Sequence, residues 1–289
     1  MKNYPRIAFI SALLCLAWSV PVWSHAQEGE SPLNSAQPAG ITSQEIIQRF
    51  AAREKQFKSA LENYIYRRSV KIQTIDGGSP DGEYQQTVDI LFDEKGKRIE
   101  NVVFAPQPTL QRISMSREDF DDIQNRLPFV LTSDELGEYN VTYAGQQKID
   151  ELDTYVFDVA PKTIQKGKRY FEGRIWVDNR DFQIVKTNGK PVPDIRPAKK
   201  GKGSGENENL FPTFTTYREQ VDGKYWFPTY TRADDTLHFS NGDVRIRIII
   251  KYFDYQHFGT EIVEQKTTYE GKEVKGKPPA KPPANEPPK

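Results

Sequence analysis

Reactive and metal-binding side chains are scarce in this chain of 289 residues. It contains one cysteine, Cys15, and three histidines. A single thiol cannot form an intramolecular disulfide, and Cys15 lies inside an apolar run near the N-terminus. His238 and His257 do not have the close spacing of metal-ligand motifs such as H-x-x-x-H. The composition therefore argues against a disulfide scaffold, thiol chemistry and a zinc site.

An excess of charge of either sign is also missing, because 40 Lys and Arg residues balance 40 Asp and Glu residues. A nucleic-acid-binding protein usually carries a basic excess or a basic stripe. Here lysines cluster only at Lys199, Lys200 and Lys202, within a stretch rich in glycine and proline. We predict that nucleic acid is not a partner. The lysine cluster indicates a solvated segment, with docking to anionic lipid or an acidic partner as the alternative.

Catalytic motifs are absent as well. The segment Gly203-Ser204-Gly205 lacks the spacing of a G-x-S-x-G nucleophile elbow and of both glycine-rich phosphate loops. Acidic pairs at 118–119 and 121–122 fit the first turns of a helix, where they offset the helix dipole. The pair Asp234-Asp235 is predicted to form a turn. These patterns predict a protein that is not an enzyme and needs no cofactor or metal.

The N-terminal stretch, residues 1–26, has the pattern of a secretory signal peptide. Basic residues precede an apolar segment at 7–20, and Ser24-His25-Ala26 supplies small residues before a cleavage site at Ala26-Gln27. The apolar segment is shorter than the roughly 20 residues that span a bilayer, although an uncleaved anchor is the alternative. We predict a periplasmic or otherwise secreted protein that is not an integral membrane protein after cleavage.

Aromatic residues are abundant, at 12% of the chain, and they are typical of strands. The clearest alternation lies within 243–255, and its apolar members fall on one face: Val244, Ile246, Ile248, Ile250 and Tyr252. Because successive strand side chains point to opposite faces, this pattern predicts a sheet with one dry face. Asp222-Gly223 predicts a hairpin turn between strands at 211–221 and 225–234.

Further strands and two helices are predicted from the same periodicities. Thr42 and Glu45 form a capping-box pattern that opens a helix running to about residue 63, and a second helix is predicted at 116–126. The remaining strands are predicted at 64–75, 84–92, 98–104, 139–149, 154–160, 169–178, 182–187 and, at one edge, 260–269. The fold class is therefore α+β, with a large curved antiparallel sheet of about 10–11 strands and helices packed on one face. A two-layer sandwich is the alternative.

The predicted domain organisation has a single folded unit. A flexible leader at 27–41 precedes a domain at 42–270, which contains a long flexible loop at 191–209. Residues 271–289 form a Pro- and Lys-rich tail that we predict to be disordered.

Four segments carry a resemblance to a known family: Gly173-Arg-Ile-Trp-Val-Asp178, Gln183-Ile-Val-Lys186, Tyr217-Arg-Glu-Gln and Tyr225-Trp-Phe-Pro228. In these and in its order of elements, the chain resembles the outer-membrane lipoprotein carrier (LolA/LolB-like) superfamily. It is most similar to secreted bacterial proteins described as outer-membrane lipoprotein-sorting proteins. The resemblance covers about 42–258 and implies an unclosed β-barrel with helices covering its concave face. It also implies an apolar cavity for acyl chains, although the small carriers lack the long loop and the tail.

These observations predict a periplasmic, non-catalytic carrier or sensor that holds lipid or lipoprotein acyl chains in an apolar cavity. Each buried CH₂ group contributes about 0.8 kcal/mol, so a long chain could be held without polar contacts. The candidate ligand-binding residues are the inward ones: Tyr66, Val70, Ile90, Phe92, Phe157, Ile175, Val177, Ile246 and Ile248. They could equally be ordinary core. The alternative function is a protein-interaction or signalling module with an envelope protein as partner, similar to the domain of that fold in periplasmic regulators of sigma-factor signalling.

Overall fold

The computed structural model describes residues 30–93, 97–125, 128–193, 212–239 and 242–258. Within these ranges the helices are α1 (Ser43–Leu61), α2 (Arg117–Asn125) and a 3-10 helix at Leu136–Glu138. The strands are β1 (Tyr64–Asp76), β2 (Ser79–Phe92), β3 (Arg98–Phe104), β4 (Tyr139–Ile149), β5 (Leu152–Pro161), β6 (Tyr170–Asp178), β7 (Ile184–Val192), β8 (Phe214–Val221), β9 (Tyr225–Phe239) and β10 (Gly242–His257). Neither helix has the length and apolar content to cross a membrane.

All ten described strands belong to one antiparallel sheet, in the order β3-β2-β1-β10-β9-β8-β7-β6-β5-β4. The sheet is unclosed, since β3 and β4 are not paired with each other. The predicted single large sheet is confirmed, and the two-layer sandwich is wrong. Neighbouring strands are consecutive in sequence except where β1 pairs with β10. The first and last described strands therefore lie side by side within the sheet.

Helix α1 begins as its sequence predicts. The Thr42 side chain accepts a hydrogen bond from the Glu45 backbone N–H at 3.2 Å, which satisfies one of the free N–H groups of the first turn. Ile46, Phe50 and Phe57 form a buried stripe along the helix. Because an amphipathic helix is stabilised mainly by burying such a stripe, α1 is held in place by the sheet rather than by its own propensity.

The dry face of the sheet forms the main hydrophobic core. On β10 the predicted alternation is confirmed, because Val244, Ile246, Ile248, Ile250 and Tyr252 are buried and their neighbours point outward. Side chains from α1, α2 and the segment 129–131 join the same cluster as the last four of these inward residues. The opposite face carries a smaller cluster around Trp176 and Val156.

The two edge strands of the sheet differ in how far other residues cover them. Along β4, Asn34 and Gln146 exchange backbone hydrogen bonds of 2.8 and 2.7 Å, and the Ser31 N–H donates to the Lys148 carbonyl at 2.9 Å. Residues 31–34 are therefore bound to the sheet, contrary to the flexible leader predicted for 27–41. Strand β3 has no such cover among the described residues, and its Val102 and Phe104 side chains are 55% and 49% exposed.

Two local predictions are wrong. The segment 76–82, which falls between the predicted strands 64–75 and 84–92, is mostly strand, because β2 begins at Ser79 and Ser79 pairs with Asp76 at the end of β1. Asp234-Asp235 does not form a turn but lies inside β9, where Asp234 accepts hydrogen bonds from Arg245 and Arg247 of β10. The predicted signal peptide, most of the 191–209 loop, the 260–269 strand and the tail lie outside the described residues.

A buried ion pair ties α1 to the sheet. Arg218 of β8 donates to both carboxylate oxygens of Glu54 at 3.1 Å, and the two side chains are 1% and 0% exposed. The Ile184 N–H also donates to Glu54, at 3.2 Å, and Arg218 donates to the Phe129 carbonyl. Burial raises the pKa of Glu54, and Arg218 opposes that rise. One cluster thus joins α1, β7, β8 and the segment after α2.

Alkaline pH is expected to weaken the junction of β1 with the β8–β9 turn. Burial, reinforced by a hydrogen bond to Asp222, raises the pKa of Tyr64 to about 12. A raised folded-state pKa adds stability that is complete below pH 10 and is lost as pH rises towards 12. We expect Tyr64→Phe to be less stable than the parent at pH 8 by about 1 kcal/mol, with the difference shrinking above pH 10. Urea unfolding at a series of pH values measures this, and a constant difference would contradict it.

Candidate functional site

An aromatic cavity of about 270 Å³ lies between the sheet, the end of α1 and the segment after α2. Its aromatic lining, which defines the name used below, consists of Tyr66, Phe129, Tyr139, Phe171, Tyr252 and Tyr255. Charged side chains from α1, β3 and the β5–β6 connection stand around them. The site therefore combines an apolar interior with a polar rim, which is the usual character of a ligand pocket.

The position of the aromatic cavity shows how strongly the sheet is rolled. Arg98 of the edge strand β3 and Tyr139 of the opposite edge strand β4 both line it. In a flat ten-stranded sheet the edges would be nine spacings of about 4.8 Å apart, or roughly 43 Å. A cavity of this volume cannot reach across that distance. The free edges must face each other, which is consistent with a half-open barrel whose opening holds the cavity.

Three tyrosines form the sheet side of the cavity. The rings of Tyr66 and Tyr255 are stacked with centroids 4.9 Å apart, and Tyr252 lies 6.5 Å from Tyr66. The Tyr255 hydroxyl donates to the Pro228 carbonyl at 2.7 Å. Burial raises the pKa of both Tyr252 and Tyr255 well above the ordinary value, so these phenols are neutral at physiological pH.

Phenylalanine rings form the opposite wall. Phe129 stacks on Phe171 of β6 with centroids 4.1 Å apart, and Tyr139 meets Phe129 edge-on at 6.1 Å. Phe129 belongs to the short apolar run after α2, and its neighbour Leu131 is fully buried. Because the Phe129 carbonyl accepts a hydrogen bond from Arg218, this wall is fixed by the buried ion pair.

The rim is charged, and most of its charges are paired. Lys168 pairs with Glu138, and Lys58 pairs with Glu135 at 3.3 Å. Arg169 forms a two-pronged pair with Asp122 of α2, with its Nε 2.9 and 3.0 Å from the two carboxylate oxygens. Asp122 is buried by this contact, so the solvated helix-start role predicted for the acidic pair 121–122 does not hold for it. Within the described ranges, no group of three His, Cys, Asp or Glu side chains is placed to hold a metal.

Arg98 differs from the other rim cations. Its guanidinium lies over the Tyr66 ring, 5.4 Å from the centroid, and donates to the Tyr66 hydroxyl. No carboxylate among the described residues forms an ion pair with it. Glu62, at the C-terminal cap of α1, also lines the cavity, so the site has one cation and one anion outside its ion pairs.

Eight of the nine predicted ligand-binding residues are buried in the main core: Tyr66, Val70, Ile90, Phe157, Ile175, Val177, Ile246 and Ile248. Tyr66 is the one that also lines the aromatic cavity. Phe92 is half-buried, and its ring lies 5.0 Å from that of Phe258. The assignment of the nine residues to ligand binding stays a prediction.

Sequence reasoning did not select the other cavity residues. Tyr252 lies on the inward face that alternation had identified, and the apolar run around Phe129 was visible in the sequence. Arg98 comes from β3 at one edge of the sheet, whereas Tyr139 and Phe171 come from β4 and β6 at the opposite end of the strand order. Only the rolling of the sheet brings them together, and periodicity within a strand carries no information about it.

No known family model matches the chain, and no curated protein matches it. Solved structures do. A DUF1329 family protein from Desulfovibrio piger is 13% identical, covering 72% of this chain and 90% of its own, with a TM-score of 0.36. A LolA superfamily protein from Nitrosomonas europaea is 16% identical, covering 75% and 94%, with a TM-score of 0.32. A putative outer membrane lipoprotein-sorting protein domain from Vibrio parahaemolyticus is 14% identical, covering 76% and 95%, with a TM-score of 0.33.

A LolA superfamily protein and a lipoprotein-sorting domain, the kinds of protein that the sequence resembles, are thus among the solved structures similar to this chain. Identities of 13–16% and TM-scores of 0.32–0.36 carry no inference about ligand or activity. The ligand and the activity are therefore inferred below from the residues of the aromatic cavity.

Proposed function

We propose that this protein is a periplasmic, non-catalytic carrier or sensor that binds the acyl part of a lipid or lipoprotein. The observation that carries the proposal is the aromatic cavity in the opening between the two free sheet edges. Its walls are rings and its charged groups lie at the rim, so a hydrocarbon chain can enter while a polar head stays near water. Each methylene transferred from water into such a site contributes about 0.8 kcal/mol.

The volume of the cavity limits what it holds at one time. At about 270 Å³ it lies just below the range of roughly 300–1,000 Å³ that is typical of small-molecule pockets. One hydrocarbon segment fits, whereas a larger lipid needs the cavity to widen. Movement of α2 would widen it. Among the described residues, the polar contacts that hold α2 to the sheet side include the Asp122–Arg169 pair and a 3.3 Å hydrogen bond from Gln124 to Glu100, and Ile123 packs in the main core.

The polar groups of the cavity support a binding role rather than catalysis. Burial raises the pKa of Tyr252 and Tyr255, which keeps both hydroxyls protonated and therefore poor bases and poor nucleophiles at neutral pH. Lys58, Lys168 and Arg169 are engaged with carboxylates. Among the described residues that line the cavity, we find no nucleophile–base contact of the kind that covalent catalysis needs.

Lipid extraction tests the proposal directly. The mature protein, purified without detergent, is extracted with organic solvent, and the extract is examined by mass spectrometry for acyl compounds at stoichiometric amounts. In parallel, a fluorescent fatty-acyl probe is titrated into the delipidated protein. Acyl compounds in the extract, or saturable probe binding, are expected. The absence of both would refute the proposal.

Filling the cavity should abolish binding without unfolding the protein. Val130 is half-buried and lines the cavity, so Val130→Trp places an indole where a chain would lie. Excluding even two methylenes removes about 1.6 kcal/mol of transfer free energy, so we expect at least a roughly tenfold weaker affinity for the acyl probe. Val103→Trp, on the exposed strand β3, is the matched control and should bind normally. Urea unfolding verifies that Val130→Trp is folded, and unchanged affinity in a folded variant would place the site elsewhere.

The alternative is an interaction module of the same fold that binds an envelope protein and no lipid. The feature that favours it is strand β3, whose outer edge is unpaired among the described residues and whose apolar side chains include Val102, Val103 and Phe104. Exposed apolar edges are uncommon because they invite pairing with other chains. Lack of acyl compounds in the extract together with lack of saturable probe binding would select this alternative.

A further inference from the structure

We propose that the natural ligand of the aromatic cavity is a single-chain amphiphile with an oxyanion head, a carboxylate or a phosphate monoester. Arg98 and the hydroxyls of Tyr66 and Tyr252 receive that head. This inference rests on the proposed function, since it names the chemical class of the ligand that the same site takes.

Arg98 supplies the charge. Its side chain stands at the mouth, over the Tyr66 ring and in hydrogen-bond contact with the Tyr66 hydroxyl. The other lining cations, Lys58, Lys168 and Arg169, are each neutralised by a carboxylate. Arg98 has no such partner among the described residues and is exposed, so an entering anion meets it without first breaking an ion pair. A guanidinium with open N–H groups matches the two oxygens of a carboxylate or phosphate.

The hydroxyls supply further donors. The Tyr66 oxygen accepts from Arg98, which leaves its own proton free to be donated. The Tyr252 hydroxyl is buried and makes no hydrogen bond of ordinary geometry to any described residue. Thr231 is the polar side chain beside it, and the Thr231 hydroxyl is shared with Thr216 at 2.8 Å. An unsatisfied buried hydroxyl is destabilising and therefore calls for an explanation, and a ligand that brings an acceptor provides one.

The character of the donors selects the head group. Arg98 can only donate, and both tyrosine hydroxyls have a proton to give. A carboxylate or phosphate head accepts from all three, whereas an ammonium head could accept from none of them and would be repelled by the Arg98 guanidinium. Glu62 is the opposing charge, because it also lines the cavity and forms no ion pair with any described residue. Its negative charge should weaken anion binding, so replacing Glu62 tests whether the cavity prefers an anionic head group.

The cavity volume selects a single chain. A space of about 270 Å³ takes one hydrocarbon segment between the Phe129–Phe171 wall and the tyrosines. With the head at Arg98, the chain runs inward along that wall. A two-chain lipid would leave its second chain in water unless the cavity widens.

Three probes with the same chain separate the parts of the inference: dodecyl phosphate, dodecanoate and uncharged dodecanol, each titrated below its aggregation threshold by displacement of a fluorescent acyl dye. We expect the parent to bind the better of the two anions at least tenfold more tightly than dodecanol. Preference for dodecyl phosphate identifies a phosphate head, and preference for dodecanoate identifies a carboxylate. Arg98→Gln is expected to weaken anion binding by about 10–100-fold and to leave dodecanol unchanged.

Two further variants test whether the effect depends on charges inside the cavity. Arg245→Gln removes the same charge on the outward face of β10 and should change nothing, whereas Glu62→Gln should strengthen anion binding severalfold. If dodecanol binds as tightly as both anions, or if Arg98→Gln behaves like Arg245→Gln, the head-group inference is wrong and the acyl-binding function stands. If none of the three probes binds the delipidated parent, the proposed function fails as well.

Discussion

Replacing Arg218 with methionine is expected to lower the free energy of unfolding by about 3–5 kcal/mol, because it leaves the Glu54 carboxylate buried without its partner. Methionine keeps much of the aliphatic volume, so the loss reports the charge and the hydrogen bonds rather than a large cavity. The Phe129 carbonyl also loses its donor, which adds to the effect. Urea or thermal unfolding of the purified variant measures it.

The pH dependence of this loss has a definite sign. Burial already raises the pKa of Glu54, and removing Arg218 removes the opposing influence, so the pKa rises further in the variant. A raised folded-state pKa stabilises the fold at low pH, and that contribution is lost as pH rises. The deficit of Arg218→Met should therefore be smaller at pH 5 than at pH 8. A deficit that is equal at both values would contradict the account of a stranded carboxylate.

A double replacement, Glu54→Leu with Arg218→Met, provides the matched control. Exchanging both members of a buried pair for apolar residues is often neutral or stabilising. Here the recovery should be incomplete, because the Ile184 N–H and the Phe129 carbonyl lose the partners that Glu54 and Arg218 supply. We expect the double variant to lie between the parent and Arg218→Met in stability. If it is the least stable of the three, the hydrogen bonds matter more than the stranded charge.

Features that depend on local pattern were predictable from the sequence. The cap at Thr42 and the alternation of β10 involve residues within a few positions of one another, and both were predicted correctly. Single-sheet architecture was favoured over a sandwich because one predicted helix precedes the strands and another interrupts them, and both could cover one face of a large sheet. Strand boundaries were less accurate, because Asp234-Asp235 resembles a turn in isolation and becomes strand through Arg245 and Arg247 on the adjoining β10.

Long-range contacts were not predictable from the same patterns. Arg68 occupies an inward position of β1 between Tyr66 and Val70, where alternation predicts an apolar residue. It is buried because Glu100 of β3, two strands away, accepts its hydrogen bonds at 3.0 and 3.2 Å. The Glu54–Arg218 pair joins residues 164 positions apart. No pattern within a single segment reports such a partner.

The residues that form the aromatic cavity could not be predicted from patterns within a segment either, with one exception. Its residues come together only because the sheet rolls, and rolling needs places where adjacent strands approach closely. Gly173 and Gly189 are paired across β6 and β7, and glycines inside strands mark sharp bends of this kind. Gly173 was visible as a glycine within the predicted strand 169–178, whereas Gly189 lies just beyond the predicted strand 182–187. The pairing of the two glycines across β6 and β7, which allows the strands to approach closely, could not be predicted from the sequence.

Gly173→Ala is accordingly expected to lower the free energy of unfolding by about 3 kcal/mol, the upper end of the range for overpacking. A Cβ at this position would lie 2.2 Å from the Asn188 carbonyl oxygen and 2.5 Å from the Gly189 Cα. Both obstacles are backbone, so no side chain can rotate away and the strands themselves must separate. Gly137→Ala, where an added methyl meets nothing within 4 Å, is the control and should stay within about 0.5 kcal/mol of the parent.

The same substitution connects curvature to ligand binding. Forcing β6 and β7 apart shifts Phe171, which lies two residues before Gly173 and stacks on Phe129 in the cavity wall. A Cβ on Gly189 would press on the Phe171 ring itself, at 2.7 Å. We therefore expect Gly173→Ala and Gly189→Ala, measured where both are folded, to weaken binding of the acyl probe as well as stability. Unchanged binding in a destabilised variant would mean that the cavity does not depend on the bend at this glycine pair, and the link between sheet curvature and the site would be lost.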